Sequence, residues 1–314
     1  MSFAFFFPGQ GSQSVGMMQG WGDTRVIRDT FVEASDLLST DFWHMATVAN
    51  DAINQTRNTQ PLMLTAGIAV WRAWQNDGGQ LPAIMAGHSL GEYSALVAAG
   101  AISFKDALPL VRFRADVMQS AVAEGVGAMA AVLGLDDEAV RAVCAEAAQG
   151  EILEAVNLNS PGQVVIAGHK AAVERGMALA KEKGAKRALP LPVSVPSHCA
   201  LMKPAAEELR GYLQDVAIHT AVIPVLHNAD VAFYSDAVQI KDALVRQLYS
   251  PVRWVETVQS IHQQGITTSA ECGPGKVLAG LSKRIVDDMS CVALISPEML
   301  AEAQTQFNAS LNQQ

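Results

Sequence analysis

The chain has 314 residues, 50% of them hydrophobic and 17% charged, and its formal net charge is −9 at pH 7. This length is enough for a large core in one or two domains, and the acidic balance argues against general nucleic-acid binding, which depends on neutralising phosphates. No apolar run reaches the ~18 residues of a membrane span, and the apolar N-terminus lacks the basic segment of a signal peptide, so we expect a cytoplasmic protein with no membrane contact.

The first predicted elements alternate between strand and helix. Phe3 to Phe7 is a short apolar run closed by a Pro-Gly pair, as is typical of a buried strand. Pro61 to Trp74 is apolar on most faces and predicts a buried helix that begins near Pro61. A strand at Ala83 to Ala86 and a helix at Leu90 to Ala99 follow, which indicates an α/β fold.

A further helix is predicted to begin at Ser103. Ser103 and Asp106 have the spacing of a capping box, in which the serine side chain accepts a hydrogen bond from the backbone three residues on. Pro109 lies inside the helical pattern and has no backbone N–H to donate. We therefore expect Pro109 to kink this helix or to divide it in two.

Residues 126 to 194 follow a different pattern. Short strands and helices alternate in the order β-α-β-β-α-β, which is typical of a ferredoxin-like unit. The predicted strands are Ala128–Leu133, Ile152–Leu158, Gln163–Ala167 and Ala188–Val193, and the predicted helices are Asp136–Gln149 and Lys170–Lys183. We therefore predict a small subdomain at 126–194 that is inserted into a larger α/β subdomain formed by 1–125 and 195–314.

Neither the C-terminal tail nor the cysteines indicate a functional site. The tail from Glu298 is polar and rich in Gln and Asn, so it is expected to fray. The cysteines are widely spaced, form no C-x-x-C pair, and are expected to be small buried or half-buried thiols in a reducing compartment. They are Cys144, Cys199, Cys272 and Cys291. The sequence contains no metal-ligand spacing.

The most informative motif is Gly87-His88-Ser89-Leu90-Gly91. It is a G-x-S-x-G sequence between a predicted strand and a predicted helix, the context in which this motif forms a nucleophile elbow. The backbone N–H after the serine then points to the position where an oxyanion forms, at a helix N-terminus that favours negative charge. Ser89 is therefore predicted as a nucleophile; the alternative is a plain Gly-rich turn.

A serine nucleophile needs a base. His88 adjoins Ser89 on a sharp turn, so its side chain is expected to point away from the pocket. His198 lies in a Pro-punctuated loop directly after the inserted subdomain and is the best candidate base. No acid stands out between Ser89 and His198, which weakens a lipase or esterase interpretation; a carbonyl oxygen can orient the imidazole instead.

Two other features can contribute to such a site. The loop Pro8 to Gln13 is Gly-rich but lacks the last glycine of a dinucleotide fingerprint, because Ser14 stands there. This loop can lend a second backbone N–H to an oxyanion hole, or it is simply a turn. Arg112 and Arg114 lie two apart on a predicted helix and face roughly opposite directions, so one of them can face the cleft and bind a carboxylate.

Taken together, seven segments resemble one known family. The chain resembles the bacterial malonyl-CoA:acyl carrier protein transacylases of fatty-acid synthesis and, more distantly, the acyltransferase domains of polyketide synthases. The segments are Phe7–Gln13, Gly87–Tyr93, Arg112–Arg114, Asn159–Gln163, Val195–His198, Gln247–Trp254 and Glu271–Gly275. Seven motifs in the family's order are far more specific than any one of them.

The resemblance implies an α/β-hydrolase-like core with a parallel sheet, and a role for each matching residue. Ser89 carries the acyl group, and His198 acts as general base and acid. The carbonyl of Gln247 orients His198, which explains the missing acid. Two further sets of atoms are implied: the backbone N–H groups of Gln10 and Leu90 as the oxyanion hole, and the guanidinium of Arg114 as the partner of the malonyl carboxylate.

The same resemblance implies the substrates and partners. Malonyl-CoA loads the enzyme, and the phosphopantetheine thiol of a holo acyl carrier protein takes the acyl group in a ping-pong reaction, with no metal or redox cofactor. The enzyme is expected to be a monomer. Because a carrier protein is acidic, a basic docking surface is expected. The candidate residues are Lys181, Lys183, Lys186, Arg187, Lys283 and Arg284. The alternative is that these residues are simply solvated helix ends with no docking role.

Three alternatives stay open at this point. Ser197 before His198 resembles the free-standing fatty-acid enzymes, but a discrete acyltransferase that serves a polyketide pathway in trans has similar motifs. A serine thioesterase or other hydrolase uses the same nucleophile, although no triad acid is found. A non-catalytic acyl-thioester-binding protein is the third, and an intact set of Ser89, His198 and Arg114 argues against it.

Overall fold

The fold is seen in a computed structural model that describes residues 2–193 and 195–311. The strands in chain order are β1 (Phe3–Phe7), β2 (Ile84–Gly87), β3 (Gly127–Leu133), β4 (Leu153–Ser160), β5 (Gln163–His169), β6 (Arg187–Pro190), β7 (Val225–Leu226), β8 (Thr268–Cys272) and β9 (Ser290–Leu294). The helices are α1 (Arg25–Leu38), α2 (Phe42–Thr47), α3 (Thr56–Asn76), α4 (Gly91–Ala98), α5 (Phe104–Ser120), α6 (Asp137–Ala148), α7 (Lys170–Glu182), α8 (Lys203–Leu213), α9 (Ala237–Gln247), α10 (Trp254–Gln263), α11 (Val277–Ile285) and α12 (Pro297–Leu311).

The larger sheet is parallel and has the strand order β7-β2-β1-β8-β9. Its first strand in sequence, β1, lies at the centre and is buried on both faces, as its continuous apolar run predicts. Phe5 packs on Trp74 on one face, with ring centroids 5.0 Å apart, and Phe6 packs on Trp254 on the other, at 5.3 Å. Phe7 lies opposite Gly87 in the register. The loops after β1 and β2 therefore emerge side by side at the carboxyl edge of the sheet, where ligands bind in open α/β sheets.

The smaller sheet is antiparallel and has the order β4-β5-β3-β6. Helices α6 and α7 cover it with a hydrophobic core of their own, which includes Val132, Val164 and Ile166. The elements occur as β-α-β-β-α-β, as predicted for this part of the chain. The fold class is therefore confirmed: an α/β core with a parallel sheet and a small antiparallel subdomain.

The two sheets are joined through the strand β4. Residue Asn157 of β4 forms a parallel bridge with Val252, and the backbone N–H of Leu158 donates to the carbonyl of Val252 at 3.0 Å. The backbone N–H of Val252 in turn donates to Val156 at 2.8 Å. The segment that follows α9 is thereby fixed against both sheets.

Two proline predictions need correction. Helix α3 begins at Thr56 rather than near Pro61, and α5 runs without interruption through Pro109, so the expected division of that helix is wrong. The residues directly before and after each proline are buried, and this packing compensates for the hydrogen bond that the proline removes. The cap at Ser103 is as predicted, because its side chain accepts from the backbone N–H of Asp106 at 3.1 Å.

The expected fraying of the C-terminal tail is also wrong over the described residues. The tail forms α12, and Phe307 packs on Phe3 with ring centroids 4.4 Å apart. Leu300, Ala303 and Phe307 recur at helical spacing and are buried, so these three apolar residues hold the helix to the core. Residues 312–314, also part of that tail, lie outside the described residues.

The cysteines are thiols, as predicted: Cys144, Cys199 and Cys272 are buried and Cys291 is half-buried. Burial raises the pKa of Cys144, Cys199 and Cys291 to about 12. Among the described residues, no helix combines the length and the apolar character needed to cross a membrane.

Candidate active site

Ser89 lies on a sharp turn between β2 and α4, as the motif predicts. Its backbone φ is +52°, in the left-handed region that non-glycine residues rarely adopt. The two glycines of the motif are required by close backbone approach: a Cβ on Gly87 would overlap the backbone of Gly91, and a Cβ on Gly91 would overlap the carbonyl of Phe7. The turn therefore presents the Ser89 side chain at the carboxyl edge of the larger sheet.

The His198 imidazole is in direct contact with Ser89. Its Nε2 lies 2.7 Å from Ser89 Oγ, and its Nδ1 lies 2.7 Å from the backbone carbonyl of Gln247. Because a carbonyl oxygen only accepts, Nδ1 carries the proton and Nε2 is left to accept from Oγ. Burial, followed by the positive charge of Arg114, lowers the pKa of His198 to about 3. The imidazole is therefore neutral and oriented as a base at ordinary pH.

Of the two candidate arginines, Arg114 is the one beside Ser89. It is 1% exposed, its Nη2 lies 3.5 Å from Ser89 Oγ, and its Nη1 donates to Oε1 of Gln60 at 2.8 Å. Nη2 also donates to Oε1 of Gln247 at 3.0 Å. None of the ion pairs within the described part of the chain includes Arg114, and its Nε has no hydrogen-bond partner there. A buried cation next to the nucleophile is thus available to an incoming anion.

Arg112 occupies a different environment on the same helix. It is half-buried, and its charge interacts with Arg57 and Asp116. Burial, followed by the charge of Arg57, lowers its pKa. Helical spacing does not distinguish the two arginines, whereas the structure places Arg114 and not Arg112 within hydrogen-bond distance of Ser89 among the described contacts.

The loop after β1 reaches the elbow from the neighbouring strand. Gly9 packs so closely on the turn that a Cβ there would overlap the carbonyl of His88 and lie 3.6 Å from the backbone nitrogen of Leu90. Within the described residues, the backbone N–H groups of Gln10 and Leu90 donate no hydrogen bond to another backbone group. The next residue along this loop, Gln10, lines a cleft of about 490 Å³ together with Thr56, Ser120 and Val193. The loop therefore contacts the elbow through Gly9 and borders the cleft through Gln10.

His88 turns away from this group, as expected. Its Nε2 lies 2.8 Å from Oδ1 of Asn159 on β4, and its ring packs edge-on against Trp254 at 5.5 Å. Burial lowers its pKa. The side chain thus bridges the elbow to the smaller sheet.

Sequence reasoning missed three polar residues that surround the site. Asn228 holds the elbow: its Oδ1 accepts from the backbone N–H of Ser89 at 2.7 Å and its Nδ2 donates to the carbonyl of Gly87 at 2.6 Å. Gln60 binds Arg114, and Glu92 lies buried behind the elbow. Glu92 had a usable signal, since it is the one acid in an otherwise apolar helix, whereas Gln60 and Asn228 are brought in from distant parts of the chain.

The predicted basic residues lie on the surface in two places. Lys181, Lys183, Lys186 and Arg187 are exposed at the end of α7 and the start of β6, and Lys183 pairs with Glu146 at 3.2 Å. Lys283 and Arg284 are exposed on α11, and Arg284 donates to Gln163 of β5 at 2.9 Å. The second pair therefore lies where α11 of the larger subdomain meets the smaller sheet.

The sequence is similar to known proteins over nearly its whole length. Residues 4–313 match the family described as acyl transferase domain. The chain belongs to the acyl transferase domain family. A curated relative from Salmonella typhimurium, a malonyl CoA-acyl carrier protein transacylase, is 55% identical and covers 97% of this chain and 99% of the relative.

Solved structures of acyl transferases agree with the fold. An acyl-carrier-protein S-malonyltransferase from Burkholderia pseudomallei has a TM-score of 0.95 and 59% identity, covering 97% of this chain and 100% of that structure. A malonyl-transacylase solved in complex with a type II polyketide synthase acyl carrier protein has a TM-score of 0.96 and 52% identity, covering 98% and 100%. The resemblance found in the seven segments is therefore confirmed, and the chain is an acyltransferase.

Proposed function

We propose that this chain transfers a malonyl group from malonyl-CoA to the phosphopantetheine thiol of an acyl carrier protein. The observation that carries the proposal is the Arg114 guanidinium, which is buried, lies 3.5 Å from Ser89 Oγ and forms no ion pair among the described residues. A buried cation beside the nucleophile favours an acyl group with a free carboxylate and disfavours one without it. The names of the similar proteins support the same substrate.

The first half-reaction loads Ser89. His198 Nε2 takes the Oγ proton as Oγ attacks the thioester carbonyl, and the backbone N–H groups of Gln10 and Leu90 donate to the oxyanion. The carbon–sulfur bond then breaks, and His198 returns the proton to the leaving coenzyme A sulfur. The carbonyl of Gln247 holds the imidazolium that forms between these two transfers.

The second half-reaction releases the acyl group to the carrier protein. The phosphopantetheine thiol gives its proton to His198 and attacks the Ser89 ester, and His198 then protonates Oγ as the ester bond breaks. Coenzyme A leaves before the carrier thiol reacts, so the kinetics are ping-pong. These residues supply the whole proton balance, so the proposed reaction uses no metal or redox cofactor.

The carrier protein is proposed to dock across the two subdomains, which we place at 126–194 and at 1–125 with 195–314. The exposed basic residues at the end of α7 and on α11 support this, because an acidic carrier complements them. The unpaired thiols support a reducing compartment such as the cytoplasm.

A second candidate is a discrete enzyme that loads the carrier protein of a polyketide pathway. A malonyl-transacylase that was solved with a type II polyketide carrier protein is 52% identical to this chain, which supports this candidate. The chemistry at Ser89 is the same in both cases. Transfer rates to a fatty-acid carrier and to a polyketide carrier distinguish them.

Replacement of Arg114 tests the proposal. We expect Arg114→Ala to lower the rate of malonyl loading on Ser89 by at least about a hundredfold, because the malonyl carboxylate loses a buried ionic partner. Acetyl loading from acetyl-CoA should fall far less. Both rates are read by mass spectrometry of the intact protein.

Arg112→Ala is the matched control, since Arg112 lies on the same helix outside the site. It should leave both loading rates close to those of the wild type. Malonyl loading that proceeds at the wild-type rate in Arg114→Ala contradicts the assigned role.

A further inference from the structure

Glu92 is a fully buried carboxylate in the first turn of α4, directly behind Ser89. A buried carboxylate is costly unless it is paired or fully hydrogen-bonded. The mechanism above gives Glu92 no part, and among the described contacts it touches neither the Ser89 side chain nor His198. Its place behind the nucleophile therefore needs a separate explanation.

Both oxygens of Glu92 are hydrogen-bonded. Oε1 lies 2.7 Å from Nδ1 of His227. Oε2 accepts from the backbone N–H of Asn228 and from Nε2 of Gln247, each at 2.9 Å. Asn228 in turn holds the backbone of Ser89, and Gln247 holds Arg114. The carboxylate thus binds the two residues that fix the nucleophile and the cation.

The side-chain amide of Gln247 connects Glu92 to Arg114. Its Nε2 donates to Glu92 and to the backbone carbonyl of Ser89, both at 2.9 Å, and its Oε1 accepts from Arg114 at 3.0 Å. An amide can face a neighbour with either end, but an ionised carboxylate only accepts hydrogen bonds. Glu92 therefore fixes the amide nitrogen towards itself and the amide oxygen towards Arg114.

We propose that Glu92 is a positioning residue that sets the preference of Ser89 for malonyl over acetyl groups by fixing the amide of Gln247 and, through it, Arg114. The inference rests on the proposed function, because it concerns the same site. Burial lowers the pKa of Arg114, and the nearby Glu92 carboxylate opposes that shift. An acetyl group has no carboxylate for Arg114, so only malonyl loading depends on this link.

The test compares two buried carboxylates by the same substitution. Glu92→Gln keeps the shape of the side chain and removes its charge. Glu271→Gln is the control: Glu271 is also fully buried, and its Oε2 accepts from the backbone N–H of Ala279 at 2.8 Å, away from Ser89 and Arg114. The readout is the ratio of malonyl to acetyl loading rates on Ser89, measured by intact-protein mass spectrometry with each coenzyme A thioester.

We expect Glu92→Gln to lower this ratio by about tenfold or more, as for loss of a hydrogen bond to a charged group. Glu271→Gln should leave it unchanged. Combining Glu92→Gln with Gln247→Met should lower the ratio no further than either change alone, because both act through one link. An unchanged ratio in Glu92→Gln, or an equal fall in Glu271→Gln, overturns the inference, since a purely structural role moves stability and not selectivity.

Gln247→Met alone keeps the inference testable if Glu92→Gln does not fold. It preserves the bonds of Glu92 to His227 and Asn228. It removes the hydrogen bonds of the Gln247 amide to Glu92, to Arg114 and to the carbonyl of Ser89. Loss of the Ser89 bond affects malonyl and acetyl loading alike, so the same fall in ratio is expected and an unchanged ratio refutes the link. A wild-type protein that takes up no malonyl group overturns the proposed function and this inference together. Normal wild-type loading with an unchanged ratio in the variants overturns this inference alone.

Discussion

Ser89 and His198 both have a left-handed backbone, with φ of +52° and +67°. Such residues cost about 1–3 kcal/mol each and persist only where their surroundings hold them. Here the backbone N–H of Ser89 donates to Asn228, and that of His198 donates to the carbonyl of Leu248 at 2.9 Å. The strain is thus stored at the two residues that we propose to react.

A pH profile of Ser89 acylation tests the state of His198. The neutral imidazole is the form that accepts the Oγ proton, and burial and Arg114 lower the His198 pKa to about 3. A lowered pKa keeps the imidazole neutral as the pH falls, so we expect the single-turnover rate at pH 5.5 to stay within about twofold of the rate at pH 7.5.

A histidine with the ordinary pKa of about 6.5 would lose about tenfold over the same interval. Such a fall, in protein whose fluorescence shows it still folded at pH 5.5, contradicts the assigned environment of His198.

Sequence reasoning reached some site residues and not others for a physical reason. Ser89 sits in a motif of adjacent residues, so its strand–turn–helix context can be read locally. The contact of Gln247 with His198 was implied only by the resemblance. It is made by a backbone carbonyl, which every residue has, so the residue type does not reveal it. Gln60 and Asn228 act through long-range contacts that no local pattern encodes.

At the scale of elements, the close approach of β1, β2 and α4 shapes the elbow. Gly91 begins α4 against the carbonyl of Phe7, and Gly87 ends β2 against Gly91. A nucleophile elbow therefore depends on the loop of a neighbouring strand as well as on its own sequence.

Gly91→Ala tests this packing. The backbone φ of Gly91 is not in the left-handed region, so the substitution is opposed by the overlap of Cβ with the backbone of Phe7 and Pro8 and not by backbone strain. We expect a loss of about 3 kcal/mol or more in the free energy of unfolding, measured by urea denaturation.

Gly280→Ala is the control within a helix, because nothing lies within 4 Å of a Cβ at that position. It should stabilise α11 by about 0.5–1 kcal/mol, since alanine favours a helix over glycine. Equal effects of the two substitutions would refute the steric account.

Element type was predictable where the pattern was strong, as in the β-α-β-β-α-β order of the smaller sheet. The errors lie where tertiary packing overrides local preference. Pro109 stays within α5 because the surrounding residues are buried, and α12 forms because Phe307 reaches Phe3 from the far end of the chain.

At the scale of the whole molecule, the two sheets meet around the loops that hold the site. Val252, five residues after Gln247, pairs with β4, and His88 of the elbow reaches Asn159 on the same strand. The smaller sheet thereby supports the residues around Ser89 from one side. A carrier protein that spans both subdomains would deliver its thiol to this junction.

The central claim is that Ser89 passes a malonyl group from coenzyme A to a carrier protein. Intact-protein mass spectrometry after brief incubation with malonyl-CoA tests it, with Ser89→Ala as the control, followed by addition of holo acyl carrier protein. We predict a malonyl adduct that requires Ser89 and moves to the carrier protein. An adduct lost as free malonate without an acceptor, or no adduct at all, would contradict the claim.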